Sequence, residues 1–275
     1  MNIRHLLQTP NPLFEGTLSK KNEKPLHSHS PFCIRFLNKA DANDMFHLSL
    51  EIYKNLGPDE QKFLHKHESV DFYKNVFSNP NIAYIGIFHQ NRLIGLSYLK
   101  VCKNALEVAK EIPEACLKMP KNQSVAILGG DCVLPTFRGN KLNQLMVQIR
   151  KNIARKLNIP YAVSIIDRNN HRNLSPYFLN NFQLTAAGID PSDDGSIYVM
   201  QASLMPQKVI SHQKGAFVRI HSLDEIEQLL SQGYQGIHFN ARNGILELAL
   251  PTQKSQRETH PVPFLCKTRG AYSYV

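Results

Sequence analysis

The sequence predicts a mixed α/β fold, in which helices flank a central mixed β-sheet and a small α/β subdomain follows. Strand-like and helix-like segments alternate between residues 32 and 203 in the order β, α, α, β-hairpin, β, α, β, α, β. Within this run, a strongly apolar strand at 124–135 leads directly into a long basic helix. After residue 206 the pattern restarts with a strand, a helix and a strand pair.

The composition is that of a globular protein and excludes few functions. Of 275 residues, 42% are hydrophobic and 20% are charged, and there is no apolar run of membrane-spanning length. We also find no secretory signal pattern at the N-terminal end. The five cysteines lack metal or redox spacing, which predicts reduced thiols and a cytoplasmic location. The net charge of +10 favours an anionic partner such as nucleic acid, a membrane surface or a phosphorylated cofactor.

The first part of the chain is predicted to form a strand, two helices and a hairpin. A polar extension at residues 1–31 precedes a strand at 32–38. Apolar residues at helical spacing predict helices over 40–57 and 59–77. The segment 81–101 reads as two strands joined by a tight turn.

The central part contains the segment with the strongest functional signal. A polar linker at 104–123 leads to the strand 124–135, where Gly129 and Gly130 indicate a bulge or a close approach by a ligand. The helix that follows, over 139–157, has an apolar face. Its other face carries four basic residues, Arg150, Lys151, Arg155 and Lys156.

The turn before this helix is a candidate anion site. Residues 131–158 contain six Lys and Arg, and there is no Asp or Glu between Cys132 and Ile166. The free N–H groups and the dipole of a helix N-terminus favour an anion, and Arg138-Gly139 and Lys141 add charge and close approach. An ordinary turn followed by a solvated basic helix remains the alternative.

The order of elements and two motifs resemble the GNAT superfamily of acyl-CoA-dependent N-acyltransferases. One motif is the family's V-x-P, aromatic, R-G-x-G-x-G pattern, which stands here as "VLPTFRGNKLN" from Val133 to Asn143. The other is N-x-x-S-x-x-L-Y with a following G-F, echoed by "NHRNLSPYFLNNF" from Asn170 to Phe182. Lys141 and Asn143 replace two family glycines, and Asn173 replaces the family serine.

This resemblance implies an acetyl-CoA site and a direct attack of a primary amine on the thioester in a ternary complex. It assigns the pyrophosphate to the turn and the first helical residues, and the pantetheine arm to the preceding strand and the later loop. The implied cofactor-binding residues are Cys132, Val133, Leu134, Arg138, Gly139, Asn140, Lys141, Leu142, Asn143, Asn170 and Asn173.

The resemblance also implies catalytic roles, each with a structural alternative. Tyr177 matches the tyrosine that protonates the leaving thiolate, although it also fits a core aromatic position. The base that deprotonates the amine is predicted to be Asp131, with Asp167 as the other candidate. Asp131 could instead bond to backbone amides, and Asp167 could cap a turn.

Several other residues are read as structural. Cys132 suits a small buried position rather than a nucleophile. The pairs His27/His29 and His65/His67 lack further ligands, so no metal site is predicted. Tyr84, Tyr98 and His89 fit the core better than an acceptor site.

The leading function is therefore an N-acetyltransferase that transfers an acetyl group from acetyl-CoA to an unidentified amine. It is carried by a GNAT-like domain at 32–205, with a C-terminal α/β subdomain at 206–275. The alternative is a catalytically inactive GNAT-like module that binds or dimerises, and a homodimer is left open. Nucleic-acid binding ranks last because no recognition motif accompanies the charge.

Overall fold

A computed structural model describes residues 3, 12–18, 30–57, 68–189, 195–205, 211–213 and 215–252 of the chain. In this part of the chain, eleven strands form one sheet and two short strands form another. The strands are β1 (Phe14–Leu18), β2 (Ser30–Phe36), β3 (Ile82–His89), β4 (Arg92–Cys102), β5 (Val125–Val133), β6 (Tyr161–Asp167), β7 (Gln183–Ile189), β8 (Ser196–Ser203), β9 (Ser211–His212), β10 (Ala216–Arg219), β11 (Gln235–Asn240), β12 (Ile245–Ala249) and β13 (Pro251–Thr252).

Helices cover the large sheet. They are α1 (Ala42–Lys54), α2 (Val70–Val76), α3 (Ala105–Val108), α4 (Leu142–Lys156), α5 (Leu174–Phe178) and α6 (Leu223–Ser231). The mixed α/β class predicted from the sequence is confirmed. In the described part of the chain, no helix is long and apolar enough to cross a membrane.

The large sheet has the strand order β1-β2-β3-β4-β5-β6-β8-β7-β11-β12-β10. Its pairs are antiparallel apart from β5 and β6, which run parallel and are joined through α4. The predicted hairpin is present as β3 and β4. Its two-residue turn, Gln90-Asn91, has φ values of 49° and 60°, as a tight hairpin turn requires.

The core lies on both faces of this sheet. The central part of β5 alternates, so that Ala126 and Leu128 belong to the main apolar cluster and Val125 and Ile127 to a second, smaller one. The second cluster includes Val108 and Ile112 of the segment 104–123, which the sequence predicted as a polar linker and which contains α3. That segment therefore covers one face of the sheet.

The sheet extends beyond the predicted central domain at both ends. Part of the predicted polar extension forms β1, which pairs with β2 along its whole length. At the other end β11 joins β7 through Gly236 and Leu184, so β10 to β12 continue the same sheet. The predicted strand pair of the C-terminal subdomain is the antiparallel pair β11 and β12.

Two elements differ from the sequence-based expectation. Strand β7 was not predicted, because "QLTAAGI" has only a short apolar pattern, although it pairs antiparallel with β8, the next strand in the chain. Of the predicted helix at 59–77, residues 59–67 lie outside the described residues, and α2 forms most of the remainder. Ser69 caps α2 by accepting the N–H of Phe72 at 3.1 Å.

Candidate functional site

The middle of the sheet opens where β5 and β6 separate. Their parallel pairing covers only Val125 to Ile127 on β5, opposite Tyr161 to Val163 on β6. The rest of β5 pairs with β4 alone, with a register shift between Leu96 and Tyr98. A bulge increases local twist and bends the strand, so it accounts for the separation of β5 from β6.

The bulge lies at the glycine pair that the sequence singled out: Gly129 ends the regular ladder opposite Tyr98, and Gly130 and Asp131 lie opposite Ser97. Gly130 has φ +66°, a conformation that favours glycine. A Cβ atom would lie 2.5 Å from the Tyr98 hydroxyl at Gly129 and 2.8 Å from Tyr98 Cδ1 at Gly130. The close approach is therefore made by the Tyr98 ring, which covers one face of β5.

The backbone donors of β5 divide between its two edges. The N–H of Leu134 donates to Ile94 of β4 at 2.9 Å, so it is not available to a ligand. Successive N–H groups alternate along a strand, so that of Cys132 also points to β4 and that of Val133 to the open edge. The resemblance assigns Cys132, Val133 and Leu134 to cofactor binding, but of their N–H groups only that of Val133 points to the open edge, because the other two face β4.

The turn after β5 has the form of an anion site. Gly139 has φ +83° and Lys141 has φ +59°, so the chain reverses twice before α4 begins. Lys141 occupies the N-cap position, and the first N–H bonded within the helix is that of Leu145, to the Lys141 carbonyl at 3.1 Å. The N–H groups of residues 142–144 therefore have no carbonyl partner within the helix.

Two side chains hold this turn in place. Asn140 donates through Nδ2 to the Phe137 carbonyl at 2.9 Å, and Arg138 donates through Nε to the Val133 carbonyl at 3.3 Å. Arg138, Gly139 and Lys141 are exposed, so the two positive side chains are accessible, while the Arg138 N–H donates to the Pro135 carbonyl at 3.2 Å. Lys141 adopts a left-handed conformation that costs a non-glycine residue about 1 kcal/mol.

The predicted pantetheine residues lie on both sides of the opening. Asn170 and Asn173 lie in the turn that joins β6 to α5, where the N–H of Asn173 donates to the Asn170 carbonyl at 3.0 Å. Asn143 donates through Nδ2 to Asn173 Oδ1 at 3.1 Å, linking the start of α4 to this turn. The buried Oδ1 of Asn143 has no partner among the described residues.

The two predicted catalytic residues contact each other. The Tyr177 hydroxyl donates to Oδ2 of Asp131 at 2.6 Å, and Tyr177 is only 1% exposed. Burial and the neighbouring carboxylate raise the pKa of Tyr177. The phenol is therefore protonated at neutral pH, and in this arrangement its hydroxyl proton points to Asp131.

A third residue completes this cluster and was assigned wrongly from the sequence. Arg150 is 0% exposed and forms an ion pair with Oδ1 of Asp131. We expected it on the face of the helix opposite the apolar one, with Lys151, which is also buried. The signal was available, since Met146, Arg150 and Ala154 are four residues apart and all three are buried.

The remaining candidates have structural contacts. Asp167 Oδ1 accepts the N–H of Asn169 at 2.8 Å, which is the turn-capping alternative considered for it. Burial raises the pKa of the Cys132 thiol to about 12, which does not suit a nucleophile. Tyr84 is 7% exposed, and His89 Nε2 lies 2.6 Å from Ser30 Oγ. The paired histidines at 27, 29, 65 and 67 lie outside the described residues.

Comparison with known proteins shows what the architecture resembles. No family model and no curated protein matches the chain. Among solved structures, an insect protein named as an arylalkylamine N-acetyltransferase, from the yellow fever mosquito, superposes with a TM-score of 0.50. The match covers 72% of this chain and 97% of the mosquito chain at 11% identity. The chain has the GNAT fold.

Two further GNAT-type structures superpose over a smaller part of the chain. NAA60 of Arabidopsis thaliana in complex with acetyl-CoA covers 62% of this chain and 98% of its own, at 13% identity and a TM-score of 0.47. The PaiA N-acetyltransferase of Thermoplasma acidophilum in complex with coenzyme A covers 62% and 98%, at 19% identity and a TM-score of 0.44. Within this GNAT fold, the opening between β5 and β6 and the turn before α4 are the candidate site.

Proposed function

We propose that the protein is an N-acetyltransferase that transfers an acetyl group from acetyl-CoA to a primary amine. The observation that carries this proposal is the turn at residues 138–144, next to the opening between β5 and β6. It combines two left-handed residues, unbonded N–H groups and two exposed basic side chains. A diphosphate needs such a combination of directed donors and positive charge.

The pantetheine arm would run from this turn into the opening, between β5 and the turn at residues 168–173. There it would meet the N–H of Val133, which points to the open edge, and the unpartnered Oδ1 of Asn143. An amide-containing arm can satisfy both an N–H donor and a carbonyl acceptor. The carbonyl of the thioester would then lie near backbone donors that can stabilise a developing oxyanion.

In the proposed reaction the neutral amine attacks the thioester carbonyl in a ternary complex. The C–N bond forms, the C–S bond breaks, and the proton that the nitrogen loses passes to water. Positioning supplies most of the rate. Tyr177 is the candidate donor of a proton to the leaving thiolate. Because its hydroxyl now bonds to Asp131, this role requires the hydrogen bond to move from Asp131 to the sulfur. Asp131 is poorly placed as the base, since both of its oxygens are bonded and its side chain is 6% exposed.

A second candidate is a GNAT-fold module that binds or dimerises without catalysis. The bond between Asn143 and Asn173 favours it, because the two side chains join across the path proposed for the pantetheine arm. In this case the site would stay closed and no acyl-CoA would bind.

Calorimetric titration separates the two candidates. We expect acetyl-CoA, desulfo-CoA and 3′-phospho-AMP to bind, and Arg138→Ala to weaken acetyl-CoA binding about fivefold because an exposed charge is lost near the diphosphate. Lys156→Ala is the matched control, since it removes an exposed charge from the other end of α4. Equal effects of the two changes would contradict a diphosphate site at the turn.

If acetyl-CoA binds, release of free thiol should be followed with a panel of amines. The panel should contain an arylalkylamine, a polyamine, free amino acids and a lysine peptide. Turnover with any of them supports transfer. Failure of all three nucleotides to bind at millimolar concentration would reject the enzyme and favour the module without catalysis.

A further inference from the structure

Arg150 is the most completely buried charge in the described part of the chain, and each of its nitrogens has a partner. Nε donates to the Met146 carbonyl at 3.2 Å within α4. Nη1 donates to the carbonyls of Tyr98 and Gly129, both at 3.1 Å. Nη2 forms the ion pair with Oδ1 of Asp131.

The two carbonyls bonded by Nη1 lie directly beside the bulge. Tyr98 and Gly129 face each other on β4 and β5, at the end of the regular ladder where the register shifts. A bulge interrupts the ladder, and a buried carbonyl without a partner would cost free energy. Arg150 therefore supplies donors at the place where β5 turns away from β6.

The same guanidinium reaches the other side of the opening through Asp131. Oδ2 of Asp131 accepts the Tyr177 hydroxyl, and this hydroxyl also interacts with the side chain of Ser164. Ser164 follows Val163, the last β6 residue that pairs with β5. The cluster thus connects α4, β5, α5 and β6 where the two strands separate.

We infer that Arg150 is a positioning residue for acyl transfer. It holds the bulge that opens the sheet, and through Asp131 it fixes the direction of the Tyr177 hydroxyl. A planar guanidinium can bond to two carbonyls and one carboxylate at once, whereas a lysine ammonium has a different donor geometry. The inference rests on the proposed acetyl transfer, because it assigns Arg150 a role in that reaction.

The test compares Arg150→Lys with Lys151→Met. Lys151 is the matched control, since it is the next residue of α4, is 6% exposed and bonds to the Asn180 carbonyl, outside the cluster. The quantities to measure are kcat and KM for acetyl-CoA, with the best amine of the panel as acceptor. If no amine reacts, hydrolysis of acetyl-CoA is measured instead.

We expect Arg150→Lys to lower kcat about 30-fold or more and to change KM for acetyl-CoA less than about threefold. Displacement of reacting groups by about 1 Å can cost on the order of 100-fold in rate. The turn that would bind the diphosphate lies two helical turns away, so affinity should be kept. Lys151→Met should change neither constant more than about twofold. An equal loss of kcat in both variants would overturn the inference.

A double variant tests whether Arg150 acts through Tyr177. If it does, adding Arg150→Lys to Tyr177→Phe should lower kcat no further than about twofold, because the group being positioned is already absent. Independent, multiplying losses would show that Arg150 does not act through the phenol.

One measurement without ligand separates this inference from the proposed function. The shift of the urea midpoint caused by Arg150→Lys should be smaller in the Tyr177→Phe background, whereas that of Arg155→Met should be the same in both. If acetyl-CoA does not bind to the unchanged protein, the proposed function fails and the role of Arg150 in transfer fails with it. If acetyl-CoA binds and the midpoint shifts are additive, only the inference fails.

Discussion

At the residue scale, the site contains two glycines with a left-handed backbone, Gly130 and Gly139. Gly130 lies at the bulge with a left-handed backbone, and the Tyr98 ring fills the space next to it. Gly139 has a similar backbone, but no atom lies within 4 Å of a Cβ built there. Alanine substitutions at these two glycines therefore distinguish the free-energy cost of backbone strain from that of a steric clash.

We expect Gly139→Ala to lower the free energy of unfolding by about 1 kcal/mol, the cost of the left-handed region for alanine. Gly130→Ala should cost about 1–2 kcal/mol more, because its Cβ would meet Tyr98. Urea unfolding of both variants measures the difference. Adding Tyr98→Leu should reduce the extra cost of Gly130→Ala, and an unchanged cost would show that Tyr98 is not its cause.

At the element scale, the basic residues of α4 lie in three different environments, which the composition of the helix does not show. Its N-terminal end faces the candidate diphosphate site, Arg150 points into the sheet, and Lys151 points to α5. Arg155 and Lys156 at its C-terminal end are exposed and favourably placed relative to the helix dipole. A helix that appears to have one solvated basic face thus buries two of its cations.

The buried Lys151 predicts a dependence of stability on pH. Burial, with a smaller contribution from Arg155, lowers the pKa of Lys151 from 10.5 to about 8. Between these values the unfolded chain binds more protons than the folded protein, so the free energy of unfolding should rise with pH through this window. We expect a gain of about 1–2 kcal/mol, reduced by the bond of the ammonium to Asn180.

This dependence can be isolated by comparing the protein with Lys151→Met. The difference in the free energy of unfolding between the two should increase in favour of the unchanged protein from about pH 7.5 to about pH 10.5. A difference that stays constant with pH would mean that Lys151 keeps its ordinary pKa in the folded state.

At the scale of the whole molecule, the sheet connects parts of the chain that the sequence presents as separate. The C-terminal strands join β7 through Gly236, and Arg168 near the candidate site pairs with Glu227 of α6. The Tyr198 hydroxyl donates to the Ile220 carbonyl at 3.3 Å, and His171 contacts His221 with ring centroids 5.4 Å apart. The loop that carries Asn170 and Asn173 is therefore supported by the C-terminal part.

We expect the full chain to unfold in a single cooperative transition, because one continuous sheet joins the predicted domain to the segment after residue 206. A chain that ends at residue 205 should lose this transition, since β7 would have an unpaired edge and Arg168 no ionic partner. Calorimetry of both chains measures this. Two resolved transitions in the full chain would show instead that the C-terminal part folds independently.

The sequence by itself determined the class of fold, most of the helices and strands, and the place of the candidate site. These features depend on local periodicity and on short motifs, such as the Arg138-Gly139 turn and the glycine pair at 129–130, which can be read from neighbouring residues. The tertiary structure decided which charged side chains are buried and which hydrogen-bond donors have a protein partner. Leu134 uses its N–H for β4, Arg150 and Lys151 are buried, and Asp131 and Tyr177 bond to each other. Each of these outcomes depends on partners that lie 19 to 52 residues away in the sequence, and local sequence does not specify such contacts.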